Sequence, residues 1–334
     1  MQPGSTSLLN HGNANFGASS STLRLANEFL LSHSLSELLP YRSFDPETQL
    51  FVNRSSLGFV LETLPLVGCG EDIPRQLTGI FQHSLPLGSN LQCLLVASPR
   101  IGHCVKTWKC MRGGRSDVLE ELAHARSQFL RNTQGIRTFR LLLSYCQPNS
   151  LIESIESVLA LREQLITTLK GWGLPVKVWQ AEDLLTGLDE LLNPTEGLEN
   201  VSIPWNIYDS LSHQLISPST RICVESSQLV FGDQEQVLRL YTTRFLPPHW
   251  QQGAMGILIG DPFEEFLRVQ GSFFLSYGVH ICNETTLKTK MLAKCGNVEK
   301  QAASPIAKYV PSLKKEAEEW SFVREKFEGA ARDL

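Results

Sequence analysis

No Gly-Lys dipeptide occurs anywhere in these 334 residues. A P-loop needs Gly-x-x-x-x-Gly-Lys-Ser/Thr, whose backbone N–H groups wrap the phosphates while the lysine neutralises them, so that way of holding a nucleotide is excluded. Cys-x-x-Cys is missing too. The eight cysteines are scattered at 69, 93, 104, 110, 146, 223, 282 and 295, mostly in apolar stretches such as Gln92-Cys93-Leu94 and His280-Ile281-Cys282. Reduced, buried thiols fit this spacing better than a disulfide framework. There is no run of lysine or arginine and the net charge is −4, which argues against a broad electrostatic surface for nucleic acid. Met1 to Ser21 lacks a cationic start and an apolar core, so it is not a signal peptide. No apolar window is long enough to span a bilayer. The expected compartment is the cytoplasm.

What remains is the composition of a folded domain, 42% apolar and 19% charged, with ample material for one large core or two smaller ones. Residues 1–21 read as a flexible leader. Leu23 to Leu38 reads as a helix that Pro40 ends. Phe51 and Val52 suit a strand, Asn53-Arg54-Ser55-Ser56 is turn material, and Gly58 to Leu64 is a second strand closed by Pro65. A helix from Glu71 to Leu85 and a strand from Asn90 to Ala97 complete a β-β-α-β unit.

A second unit, β-α-β-α, follows. Before it, a helix from Ser116 carries Val118, Leu122, Ala125 and Phe129 at helical spacing, the expected buried stripe. Arg137 to Cys146 is a strand. Ser150, with Glu153 three residues on, suggests a capping box opening a long helix that Gly171 ends at its C′ position. Val176 to Trp179 and Asp183 to Leu192 supply a short strand and a short helix. The expected fold class is therefore α+β: layered mixed sheets with helices, in ferredoxin-like α/β units. Later strands are expected at Arg221 to Val224 pairing with Gln228 to Phe231, at Val237 to Leu246 and at Gly271 to Cys282. Residues 284–334 form a helical segment in which Leu313, Ala317, Trp320, Val323 and Phe327 share one face. Residues 22–283 are expected to form the α/β domain.

Most candidate sites reduce to structural roles. Gly68-Cys69-Gly70 starts like a dinucleotide loop but lacks the third glycine, and Glu71 and Asp72 set negative charge where a phosphate would sit. A plain strand-to-helix turn fits better. His103, Cys104 and Cys110 fall short of the four ligands of a structural zinc site. Cys146 has no identifiable histidine and acid to make it a nucleophile. Glu62 has no second acid beside it for acid–base work, so a hydrogen-bonded structural carboxylate is expected. Tyr41 and Arg42 leave two readings: a helix-to-strand corner with Arg42 bridged to Asp45 or Glu47, or a contact with a partner protein. The Trp320 stripe is likewise core or interface. No catalytic, cofactor or metal residue is expected in this chain.

The order of particular residues adds something that periodicity cannot. Leu39-Pro40-Tyr41-Arg42, then Leu50-Phe51-Val52-Asn53, then Gly58-Phe59-Val60-Leu61-Glu62 and Pro65, resembles the opening of the N-terminal domain of the TraC-type ATPases. These are the F-plasmid-like branch of the VirB-type conjugation and type IV secretion ATPases. Similar residues recur as Ser144-Tyr145-Cys146, Ala307-Lys308-Tyr309 with Pro311-Ser312, and Lys315-Glu316-Ala317-Glu318-Glu319-Trp320, so the resemblance runs from Leu35 to Phe327. It implies a full-length protein that forms hexamers at the cytoplasmic face of the inner membrane and powers pilus assembly or substrate transfer with ATP and Mg. The nucleotide-binding domain would lie C-terminal to the matched region, beyond Leu334. The chain in hand is then expected to dock the motor on inner-membrane type IV secretion components, peripheral to the membrane, and to hydrolyse nothing. Tyr41, Arg42 and Trp320 would be its partner-binding residues. The other readings are a free-standing α/β enzyme with an unfamiliar site and a truncated remnant without function.

Overall fold

A computed structural model describes residues 35–66, 70, 72–112, 117–133, 136–192, 202–215, 222–231, 236–242, 272–310 and 312–330. In chain order the helices are α1 (Leu35–Leu38), α2 (Asp72–Gly79), α3 (Gly102–Cys110), α4 (Asp117–Asn132), α5 (Ile155–Gly171), α6 (Ala181–Leu192), α7 (Leu211–Leu215), α8 (Glu284–Ala302) and α9 (Ser312–Ala330). The strands are β1 (Tyr41–Asp45), β2 (Leu50–Asn53), β3 (Ser56–Thr63), β4 (Asn90–Ser98), β5 (Thr138–Pro148), β6 (Lys177–Val178), β7 (Ile222–Val224), β8 (Leu229–Phe231), β9 (Gln236–Leu238) and β10 (Phe273–His280). The fold is α+β, with antiparallel sheets and helices. The leader, the part of the first expected helix before Leu35, most of the Gly68–Asp72 turn and the strand expected beyond Thr242 lie outside the described residues.

The chain divides into two compact units, each gathered from three stretches. One holds Ser56–Val96, Phe139–Val178 and Phe274–Leu334. Its sheet runs β6-β3-β5-β4-β10. Counting β3, β4, β5 and β6 as first to fourth, the order is fourth, first, third, second, so β3-α2-β4 and β5-α5-β6 interleave as a split β-α-β, the ferredoxin-like arrangement. Central β3 is apolar on both faces, as a strand covered on both sides must be: Phe59, Val60 and Leu61 are all buried. Phe59 pairs directly with Tyr145 of β5, and their rings stack with centroids 5.2 Å apart. The Tyr145 hydroxyl donates to Gln147 Oε1 (2.9 Å), and Gln147 Nε2 donates to the Leu151 carbonyl (2.6 Å), so the buried polar groups at this strand end satisfy one another.

Helix α5 does not begin at Ser150. A 3-10 turn, Asn149–Leu151, intervenes, and the N-cap is Ser154, whose hydroxyl accepts from the Ser157 N–H at 3.2 Å. The glycine at C′ is Gly173 rather than Gly171. It has φ +77, donates to the Lys170 carbonyl, and Leu174 donates to the Leu169 carbonyl, which together form a Schellman motif. Val158, Leu161, Leu165, Ile166 and Leu169 form the buried face, each contributing roughly 1.5–3 kcal/mol. Trp172 Nε1 donates to Gln76 Oε1 (2.6 Å), tying α5 to α2. Helix α2 itself continues into a π turn, Ile80–Ser84, and only its Ile80 end is buried. Helices α8 and α9 pack as a hairpin, with Asn283 capping α8 through the N–H groups of Thr285 and Thr286.

The other unit holds Met1–Ser55, Ala97–Thr138 and Trp179–Phe273. Tyr41 to Phe44 is a strand rather than a corner, so the opening stretch makes three strands instead of two. β1 and β2 form an antiparallel hairpin whose paired residues Phe44 and Phe51 sit 4.9 Å apart, with Trp205 edge-on to Phe44 at 5.7 Å. Helix α7, with Leu211 and Leu215 buried, packs on β1, α1 and α6. Gly187 of α6 lies against the Trp179 ring, where a side chain would collide with it. β7, β8 and β9 form a small sheet, β7 and β8 pairing as expected. Its third strand is only Gln236–Leu238; residues 239–242 are not strand.

The stripe expected to be buried on α4 is not. Val118 is 66% exposed, Leu122 60% and Phe129 58%. The buried residues of this helix are small, Ala123 and Ser127. Helix α4 packs on α3, and its large apolar side chains face out.

Candidate functional site

Tyr41 opens β1 opposite Asn53, while Ser43 pairs with Val52, so Arg42 is the extra residue of an irregularity in the ladder. Such a bulge turns its residue away from the regular pleat and re-aims the side chain. The bridge expected from Arg42 to Asp45 or Glu47 does not form. The Asp45 carboxylate is occupied within its own turn, accepting from the Thr48 hydroxyl at 2.5 Å and from the Glu47 N–H at 3.3 Å. The Thr48 hydrogen bond holds the Asp45 carboxyl below the ordinary carboxylate range. Among the described residues Arg42 has no ion pair, and its side chain is half-exposed.

Trp320 stands in a different setting. It lies half-buried at the seam of the α8–α9 hairpin with Leu313 and Ala317. The Lys294 ammonium sits 4.2 Å from its ring centroid, and the buried Cys295 thiol donates to its carbonyl oxygen at 3.6 Å. Arg324 and Glu299 cross the same seam at 3.2 Å. Val323 faces solvent, and the side chain of Phe327 lies outside the described residues.

A third surface was not read from the sequence. Helices α3 and α4 border an open cleft of about 590 Å³, lined by Lys109, Glu120, Glu121, His124 and Gln128, and a second of about 490 Å³ that adds Lys106 and Arg131. Acidic groups stand at the N-terminal end of α4 and basic groups toward its C-terminal end. Lys109 Nζ lies 2.9 Å from His124 Nδ1. A lysine can only donate, so Nδ1 accepts and the ring proton sits on Nε2. The Gln128 side-chain amide lies 3.0 Å from Nε2, and with a proton on Nε2 its oxygen is the end that can accept there. A cation and an amide suit an imidazole that holds two helices together; a general base is usually oriented by a carboxylate. No periodicity could have revealed this pair, because Lys109 and His124 come from different helices. The small residues Ala123 and Ser127, at i and i+4, were the one available signal of close packing.

The groups with shifted ionisation lie elsewhere. Burial pushes the Cys93 and Cys146 thiols and the Tyr145 phenol up, and all three sit on β4 and β5. Glu62 meets Arg140 of the neighbouring strand at 3.8 Å, a cross-strand structural pair. His103, Cys104 and Cys110 are exposed and spread along α3, and among the described residues no group of three histidine, cysteine or acidic side chains is placed to hold a metal ion. No helix among the described residues is long and apolar enough to cross a membrane.

With these surfaces defined, the likeness to known proteins becomes informative. A family described as "TraC protein" matches residues 35–332. The chain is also similar to Protein TraC of Escherichia coli (strain K12), at 24% identity over 330 residues. That alignment covers 90% of this chain and 37% of the relative, so the chain spans well under half the relative's length. The chain belongs to the TraC protein family.

Proposed function

We propose that this chain, as membership of the TraC family implies, serves as a docking and assembly domain of a conjugative type IV secretion ATPase. In that role it contacts inner-membrane components at the cytoplasmic face, is held there through those partners, and positions a motor that drives pilus assembly and DNA or protein transfer. In this reading the chain itself does not hold the ATP and Mg that drive the motor, since its sequence offers no Gly-Lys for phosphates. The observation that carries the reading is the family match across residues 35–332.

Arg42 supports a docking role for the β1–β2 hairpin. An uncommitted guanidinium on a bulge, with its neighbouring acid already taken by Thr48, is available for a carboxylate on another protein. Trp320 supports docking only through the hairpin that it holds together. A donor-cell experiment tests the function. Overproduced beside an intact F-like transfer system, the chain should compete with the full-length protein for its docking site and lower transfer frequency. Unchanged transfer, with the folded chain abundant in the donor, would count against the proposal.

A further inference from the structure

The apolar stripe on α4 has the spacing of a coiled-coil seam. Val118, Leu122, Ala125 and Phe129 fall at steps of four, three and four, the d-a-d-a positions of two heptads. At about 100° per residue, this stripe lies roughly 150° around the helix from the buried residues Ala123 and Ser127. Among the described residues nothing closes over it, with Val118, Leu122 and Phe129 each more than half exposed.

The flanking charges identify the occupant. Glu121 takes the g position and Arg126 the following e position. In a parallel, in-register pair of helices, g of one helix faces e of the next heptad on the other, a separation of five residues. Glu121 and Arg126 are five apart. Neither has an ion pair with a described residue, and Arg126 lies over its own Phe129 ring at 5.6 Å from the centroid. An antiparallel pairing would set g beside g and e beside e, bringing Glu121 to Gln128 and Arg126 to Leu119 and leaving both charges uncompensated.

We infer that the exposed face of α4 binds α4 of a second copy of this chain, parallel and in register, with Glu121 of each copy paired to Arg126 of the other. The contact spans only two heptads, few residues against the roughly 20–30 a side of a standard interface. The isolated chain therefore associates weakly and reversibly, and the contact strengthens where other interfaces hold the copies together.

Sedimentation velocity over a concentration series tests this on the 334-residue chain. The wild type should show a concentration-dependent rise in sedimentation coefficient. Glu121→Lys and Arg126→Glu should each weaken association about tenfold, since each removes two symmetry-related pairs and adds repulsion. The double reversal, Glu121→Lys with Arg126→Glu, should restore it. All these side chains are exposed, so thermal midpoints should not move. Under oxidation, Leu122→Cys should give a disulfide to itself, which mass spectrometry can map, because an a position meets its own counterpart only in a parallel pair. A chain that stays monomeric at every concentration overturns the inference. So does association indifferent to the single reversals, or a double reversal that fails to rescue.

Discussion

The carbonyl oxygen of Tyr145 fills the space that a side chain on Gly58 would need. The two lie on adjacent antiparallel strands, β3 and β5, at the centre of the sheet. The obstacle is backbone and cannot rotate aside, so Gly58→Ala should force the strands apart beside the buried Phe59–Tyr145 pair. A loss of about 1–3 kcal/mol is expected, read as a lower midpoint in urea unfolding with little change in slope. A wild-type midpoint would mean that the strands are not so close.

Thiol chemistry should separate the seven described cysteines into two groups. Cys104, Cys110, Cys223 and Cys282 are exposed and should react promptly with a disulfide reagent at mildly alkaline pH. Cys295 is buried, while Cys93 and Cys146 are half-buried with thiols raised above the ordinary 9.0. These three should react only on unfolding. The raised thiols also set a pH dependence. Their folded-state pKa exceeds the unfolded value, so their contribution is fully present below about pH 9 and is lost as pH climbs through the folded pKa. Urea midpoints should therefore fall on the alkaline side and stay level between neutrality and mild alkalinity.

Trp320 should matter for the hairpin more than for recognition. Trp320→Ala removes the ring under Lys294 and much of the α8–α9 seam. A destabilisation of about 2–3 kcal/mol is expected, below the usual cost for a fully buried tryptophan because this one is half-exposed. Lys294→Met, which keeps the aliphatic packing and loses only the charge, should cost under about 1 kcal/mol. Thermal unfolding of both variants makes the comparison.

Much of the fold was legible because strands and caps are local. Val60 and Leu61 announce a doubly buried strand, and the β7–β8 hairpin follows from turn residues between two apolar runs. Choices between near-equivalent residues were not legible. Ser150 and Ser154 are both plausible caps, and Ser154 is selected because Gln147 holds the Leu151 carbonyl in a separate turn. Between Gly171 and Gly173, only backbone geometry decides. The stripe on α4 was visible as a face, but a helical period says nothing about what covers that face. The site was less legible still. Arg42 could be named from sequence, yet its freedom depends on Thr48 occupying Asp45, and the Lys109–His124 contact joins two helices.

The most direct measurement of the docking account is retention of conjugative inner-membrane components on the immobilised chain, from detergent-solubilised membranes of cells carrying an F-like transfer system. The expected result is saturable retention of specific components by the wild type. Arg42→Ala should lose most of it while keeping the wild-type thermal midpoint. A folded wild-type chain that retains none of those components would contradict the account.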